Sequence, residues 1–146
     1  MRRLLPAPAF YYRLGFPPGA RRCVRRGVAF TRRALARRRP GADPAAVDDV
    51  LLVAAELLAN AAGHAGGPLA LDLRFDVDGD GLGIGVTDAA YTPPRLRHPE
   101  QGELQGYGLR IVDRLARAWG TTRAGAGKVV WVEMRLPAAR GTHARR

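Results

Sequence analysis

At 146 residues and 47% apolar side chains, the chain has the size of one domain with a core about two layers thick, which argues against whole-chain disorder. Its net charge of +11 suggests a nucleic-acid partner until the charge is located: residues 1–40 hold 12 arginines and no acid, while residues 41–146 hold 12 basic and 13 acidic groups. The body is thus nearly neutral, and a basic set of 23 Arg to 1 Lys (Lys128) reflects genome composition more than phosphate recognition, so direct nucleic-acid binding is not expected. The single cysteine, Cys23, excludes an internal disulfide and suits a cytoplasmic protein. No stretch approaches the ~20 apolar residues of a membrane span, and the Met1–Pro6 start lacks the apolar centre of a signal peptide, so no membrane association is expected.

Phe10, Tyr12, Leu14 and Phe16 alternate with Tyr11, Arg13 and Gly15, predicting a short strand that Pro17-Pro18-Gly19 ends. Residues 20–38 place Val24, Val28, Thr31 and Leu35 on one stripe opposite paired arginines, an amphipathic helix with a basic face. Asp43-Pro44 is a helix start in which Asp supplies the cap and Pro the first turn. From there Val47, Val50, Leu51, Ala54, Leu57, Leu58 and Ala61 keep helical spacing to about Ala62. Leu69, Leu71, Leu73, Phe75 and Val77 then alternate with polar residues, and the Asp78–Gly81 turn returns a strand with Leu82, Ile84, Val86 and Asp88 on its inner side. The segment from Ala89 to Gln105 has three prolines and little periodicity, as expected of a functional lid. A helical stripe of Leu109, Val112, Leu115, Ala116 and Trp119, stopped by Gly120, precedes a short strand at 121–124 and a strong one from Val129 to Leu136. Trp119 and Trp131 read as packing residues, and the tail from Pro137 as frayed. Because the strands come as hairpins between helices, the expected fold is an α/β (α+β) two-layer sandwich, a mixed, mostly antiparallel sheet covered by helices on one face.

Glu56 and Asn60, four residues apart, stack on one helix face, and His64 extends the row. Asn60 can offer a carbonyl oxygen to Mg²⁺, and Glu56 can orient or deprotonate a hydroxyl. The plainer alternative for this pair is an exposed polar face, and for His64 a polar helix end. Asp88 points to the apolar side of its strand, where an unpaired carboxylate is costly, so it needs a partner. An amino group such as adenine N6 is one candidate, and the strand-ending turn itself is the other. Gly106-Tyr107-Gly108-Leu109 sets two glycines where a helix begins, with N–H groups and dipole favourable to phosphate. Neither the P-loop pattern nor the dinucleotide fingerprint is present. Arg95, Arg97 and His98 lie in the lid, either solvated or within reach of a γ-phosphate.

With Glu56-Leu57-Leu58-Ala59-Asn60-Ala61, Asp88 and Gly106-Tyr107-Gly108-Leu109 in this order, and the phrases Gly108–Gly120 and Gly127–Trp131 beside them, the chain resembles the GHKL (Bergerat-fold) ATPase/kinase superfamily. Within it, the chain looks like the small bacterial anti-sigma-factor serine/threonine kinases and related ATP-binding regulators. The resemblance implies a basic arm and short strand at 1–19, an ATP-binding domain at 20–137 and a flexible basic tail at 138–146. It also implies ATP and Mg²⁺ as ligands, Asn60 as the Mg²⁺ ligand, Glu56 as general base, Asp88 on the adenine amino group, and Gly106, Gly108 and Leu109 closing over the phosphates. The implied partners are a sigma factor and an anti-anti-sigma (STAS-type) protein, the implied activity is phosphorylation of a partner serine, and homodimerisation stays open. Two positions depart from the family's pattern: Ala90 stands where glycine often follows the Asp, and Val129 where a threonine often follows Gly-Lys. Both thin the adenine side, so the alternative is a module that holds a nucleotide, or only its fold, and controls a partner without phosphoryl transfer.

Overall fold

In β2 (Pro68–Asp76), Leu71, Leu73 and Phe75 face a dry interior while Asp72, Arg74 and Asp76 face outward, the two-residue period of a strand covered on one side. The computed structural model describes residues 8–63, 66–89 and 105–141. Around β2 the chain adds β1 (Ala9–Gly15), β3 (Gly81–Asp88), β4 (Ala118–Ala124) and β5 (Gly127–Arg135), with α1 (Cys23–Arg38), α2 (Pro44–Ala62) and α3 (Gln105–Leu115) between them. The five strands run in the order β1-β2-β3-β5-β4, every neighbouring pair antiparallel, and the helices pack over one face. The expected two-layer sandwich is thus observed, with a sheet that is antiparallel throughout the described strands rather than mixed.

Helix α2 is the centre of the helical layer. Val50, Val53, Ala54, Leu57, Leu58 and Ala61 are all buried, and they rest on the inward residues of β2, β3 and β5. Burying a side chain such as Leu57 contributes about 1.5–3 kcal/mol, which is why the apolar stripe and not helix propensity holds this helix in place. Against α2 lies α1, whose Thr31 is fully buried and satisfies its hydroxyl by donating to the Gly27 carbonyl at 2.8 Å. Gly27 brings the two helices together, since a Cβ there would collide with the Leu58 side chain and lie 3.4 Å from Leu71. The arginines at 25, 26, 32, 33 and 37 remain exposed, a solvated basic face as the periodicity predicts.

Four details differ from the sequence expectations. Asp43 precedes α2 but makes no side-chain cap; its backbone N–H donates to the Pro137 carbonyl at 2.8 Å instead. With the Ala42–Ala138 bridge and the Ala139 N–H on the Gly41 carbonyl, this contact ties down the start of the segment expected to fray. Leu69 is 39% exposed because a bulge between Pro68 and Ala70 shifts the register there, and Val77 (44% exposed) falls beyond the strand end. Helix α3 stops at Leu115, and Trp119 and Gly120 belong to β4: the ladder to β5 (Trp119 opposite Val132, Gly120 opposite Trp131) outweighs the helical spacing. Gly120 is the seat of the Trp131 ring, since a Cβ there would stand 2.8 Å from it. Trp119 packs at the core margin with its Nε1–H donating to Asp113 at 2.9 Å, whereas half-buried Trp131 alternates with inward Val130 and Val132 and so lies on the helix-free face. On that face Arg13 also pairs with Asp72 at 2.6 Å; the hydrogen bond and charge of Asp72 raise the guanidinium's already high pKa, with little effect on stability at so exposed a site.

The helix contact at Gly27 is open to a direct test. Gly27→Val should lower unfolding stability by about 1–3 kcal/mol through overpacking against Leu58 and Leu71. Gly41→Ala, where an added Cβ meets nothing, should stay within ~0.5 kcal/mol, both read by urea denaturation.

Candidate functional site

The connections decide which residues meet. Helix α2 begins at the end of the sandwich where Asp43 meets Pro137, and its last turn, carrying Asn60, points to the opposite end. The chain turns there through Gly66 and Gly67, both at positive φ, into β2, whose first residue, Pro68, lies opposite Asp88 at the end of β3. A Cβ on Gly66 would stand 3.7 Å from that of Ala89, which fixes the two segments side by side. Strand β4 ends, and β5 begins, at this same end (Ala124 opposite Gly127, Lys128 opposite Asp88), so α3, which feeds the far end of β4, directs its N-terminus back toward Asp88. Asn60, Asp88 and the Gly106–Gly108 turn of α3 therefore gather at one end of the molecule.

Each has a distinct setting. Glu56, one turn before Asn60, is half-buried on α2, off the Leu57/Leu58 stripe. Asn60 is also half-buried, but its amide Nδ2 is buried with no hydrogen-bond partner. A buried amide without a partner is costly, so this atom calls for a water or another polar group from outside the described residues. An amide offers either end by rotating half a turn, so the same position suits a carbonyl oxygen facing a hard cation. Among the described residues no cluster of three or more His, Cys, Asp or Glu could hold a metal ion. The backbone of 105–108 forms the first turn of α3, whose N–H groups have no partner within the helix. Leu109, the next residue, is buried (3% exposed). His64, Ala90, Arg95, Arg97 and His98 lie outside the described residues.

Asp88 is buried to 1% exposure, as its strand parity requires, and one of its partners is not among those expected from sequence. Lys128, fully buried and directly opposite on β5, places Nζ 3.1 Å from Asp88 Oδ2. Gly127 is what lets β5 come so close: a Cβ there would collide with the Asp88 carbonyl oxygen and stand 3.0 Å from Ala89 Cα. Lys128 was within reach of the sequence, since residues 128, 130, 132, 134 and 136 share the inward parity of Val130, Val132, Met134 and Leu136. It is also the one lysine in the chain. Beyond the missing threonine, Val129 faces away from this pair, half-buried on the other side of β5 opposite Thr87.

The profile of the histidine kinase-like ATPase domain matches residues 20–134, most of the chain. The chain belongs to the histidine kinase-like ATPase family. Its fold is similar to the solved structure of the RsbU and RsbW domains of a Mycobacterium tuberculosis protein, with a TM-score of 0.63 at 19% identity. That match covers 94% of this chain and 35% of the other, so this chain spans about a third of that structure. No curated protein matches the chain in sequence. Among the described residues, no helix is long and apolar enough to cross a membrane.

The buried pair makes a measurable claim about stability. Removing one partner, by Asp88→Ala or Lys128→Met, should cost about 3–5 kcal/mol, because the buried ion pair is then broken. The double variant should recover a large part of that loss in chemical denaturation, a coupling that an exposed pair would not show.

Proposed function

We propose that this chain is an ATP-binding regulator of the anti-sigma type that transfers the γ-phosphoryl group of Mg·ATP to a serine of a protein partner. The observation that carries the reading is the gathering of Asn60, with its unpartnered buried amide, the inward carboxylate of Asp88 and the glycine-flanked start of α3 at one end of the sheet. Membership in the histidine kinase-like ATPase family supports ATP as the ligand, and the fold shared with an RsbW domain supports the anti-sigma role.

In this reading the N–H groups of the first turn of α3 hold the phosphates, with Gly106 and Gly108 allowing close backbone approach. Asp88 accepts from the adenine amino group, and Asn60 directs its carbonyl oxygen to the cation. Mg²⁺, when bound, neutralises phosphate charge. Glu56 takes the proton of the partner's serine hydroxyl as the serine oxygen bonds to the γ-phosphorus and the bond to the departing ADP oxygen breaks. The exposed arginine face of α1 fits an acidic surface on the partner, an anti-anti-sigma protein of STAS type, with a sigma factor as the second partner and the cytoplasm as the compartment.

The Asp88–Lys128 pair favours a second reading, in which the domain controls its partner without phosphoryl transfer, because the base-binding carboxylate already has a cation on it. Two measurements separate these readings. Mg·ATP at ~100 times its Kd should add about 2.7 kcal/mol of stability, roughly 5–10 °C in thermal denaturation, and Asp88→Asn should remove the shift. Glu56→Ala should keep the shift and abolish transfer of radiolabelled phosphate to the partner's serine. Partner control that survives in Glu56→Ala, with no transfer in the wild type, would instead identify the binding module.

A further inference from the structure

We infer that Lys128 sets the nucleotide affinity and base selectivity of this chain by competing with the base for Asp88. The inference rests on the reading of Asp88 as the base-binding carboxylate and goes beyond it, naming the residue that limits that contact.

Lys128 Nζ stands 3.1 Å from Asp88 Oδ2, with Lys128 0% and Asp88 1% exposed. The two face each other across the β3–β5 ladder, with Val86 opposite Val130 as the next inward pair. Gly127 is pressed against the Asp88 carbonyl, so the lysine is delivered by a strand end that has no room to shift inward. Surface lysines swing into water at small cost, but this one is fully buried with a carboxylate at its head.

The amino group of a base is a neutral donor, whereas an ammonium is a charged one. Charge-assisted hydrogen bonds are roughly twice as strong as neutral ones, so the base does not displace Lys128 on equal terms. If the ammonium yields, its contact with Asp88 must be replaced in a low-dielectric setting, and that reorganisation is charged against binding. On the helix α2 side the state is the reverse: the buried Asn60 amide Nδ2 has no hydrogen-bond partner. The wild-type chain therefore selects the triphosphate more strongly than the base, binds Mg·ATP weakly, and separates ATP from GTP poorly.

The test is a calorimetric titration of the full chain with Mg·ATP and Mg·GTP, on wild type and Lys128→Thr. Lys128→Thr should tighten Mg·ATP by about tenfold or more and not tighten Mg·GTP, since guanine carries a carbonyl where adenine carries the amino group that meets Asp88 in that reading. Equal or weaker Mg·ATP binding by a folded Lys128→Thr overturns the inference. That variant leaves Asp88 without its cation and is at risk of misfolding, so a second measurement uses the unaltered protein. Because Lys128 is the one lysine, labelling lysine side chains with ¹⁵N gives a single Nζ resonance. Saturating Mg·ATP should move that resonance; an unmoved Nζ signal while backbone amides shift overturns the competition but keeps the nucleotide site. No saturable response to Mg·ATP anywhere in either protein overturns the nucleotide reading itself, and the inference with it.

Discussion

Helices cover one face of the sheet and leave the other to solvent, and most of the structure follows from that asymmetry. Every second residue of β2, β3 and β5 enters a space without water, so each must be apolar or bring its own polar partner. Leu71, Ile84 and Val132 meet the first condition, and Thr31 meets the second by donating to the carbonyl one turn back on its own helix. Asp88 and Lys128 are the charged side chains among the described buried residues, and they meet it through each other. A buried ion pair of this kind adds little net stability over an apolar pair of the same volume, and its value lies in what it specifies. Here it sits at the end of the β3–β5 ladder, Asp88 directly opposite Lys128.

The same end of the molecule shows two chemistries in different states of completion. On α2, the buried Asn60 amide lacks a hydrogen-bond partner. At the end of β3, the Asp88 carboxylate is met from within by Lys128, the second residue of β5. The close passage of Gly127 past Asp88 makes that placement possible, since any side chain there would push β5 away and part the pair.

Much of the architecture was legible in side-chain spacing. The alternation in residues 10–16 and 69–77, the Asp78–Gly81 turn and the stripe from Val47 to Ala61 predict β1, β2, the hairpin into β3 and α2 close to their observed bounds. Where spacing misled, a longer-range interaction had outweighed it. Trp119 continues the α3 stripe in sequence, but from Ala118 onward the chain gains a ladder with β5 that no helical turn could match. Leu69 has the parity of a core residue, yet a bulge at Pro68–Ala70 turns it outward. Asp43 has the chemistry of a cap, but its side chain makes no cap hydrogen bond, and only its backbone N–H is engaged, by the Pro137 carbonyl.

The candidate site divides in the same way. The sequence by itself determined that Glu56 and Asn60 share a helix face, that Asp88 is an inward carboxylate in need of a partner, and that two glycines open α3. These are local facts, set by periods of 3.6 and 2 residues along one element. That the three places lie at one end of the sandwich, and that the partner of Asp88 is Lys128, only the tertiary structure decided. Parity puts Lys128 on the inner side of its strand, but parity is blind to which strand lies next to which. The β1-β2-β3-β5-β4 order, set by how the whole sheet packs beneath α2, brings the two charges face to face across forty positions of sequence.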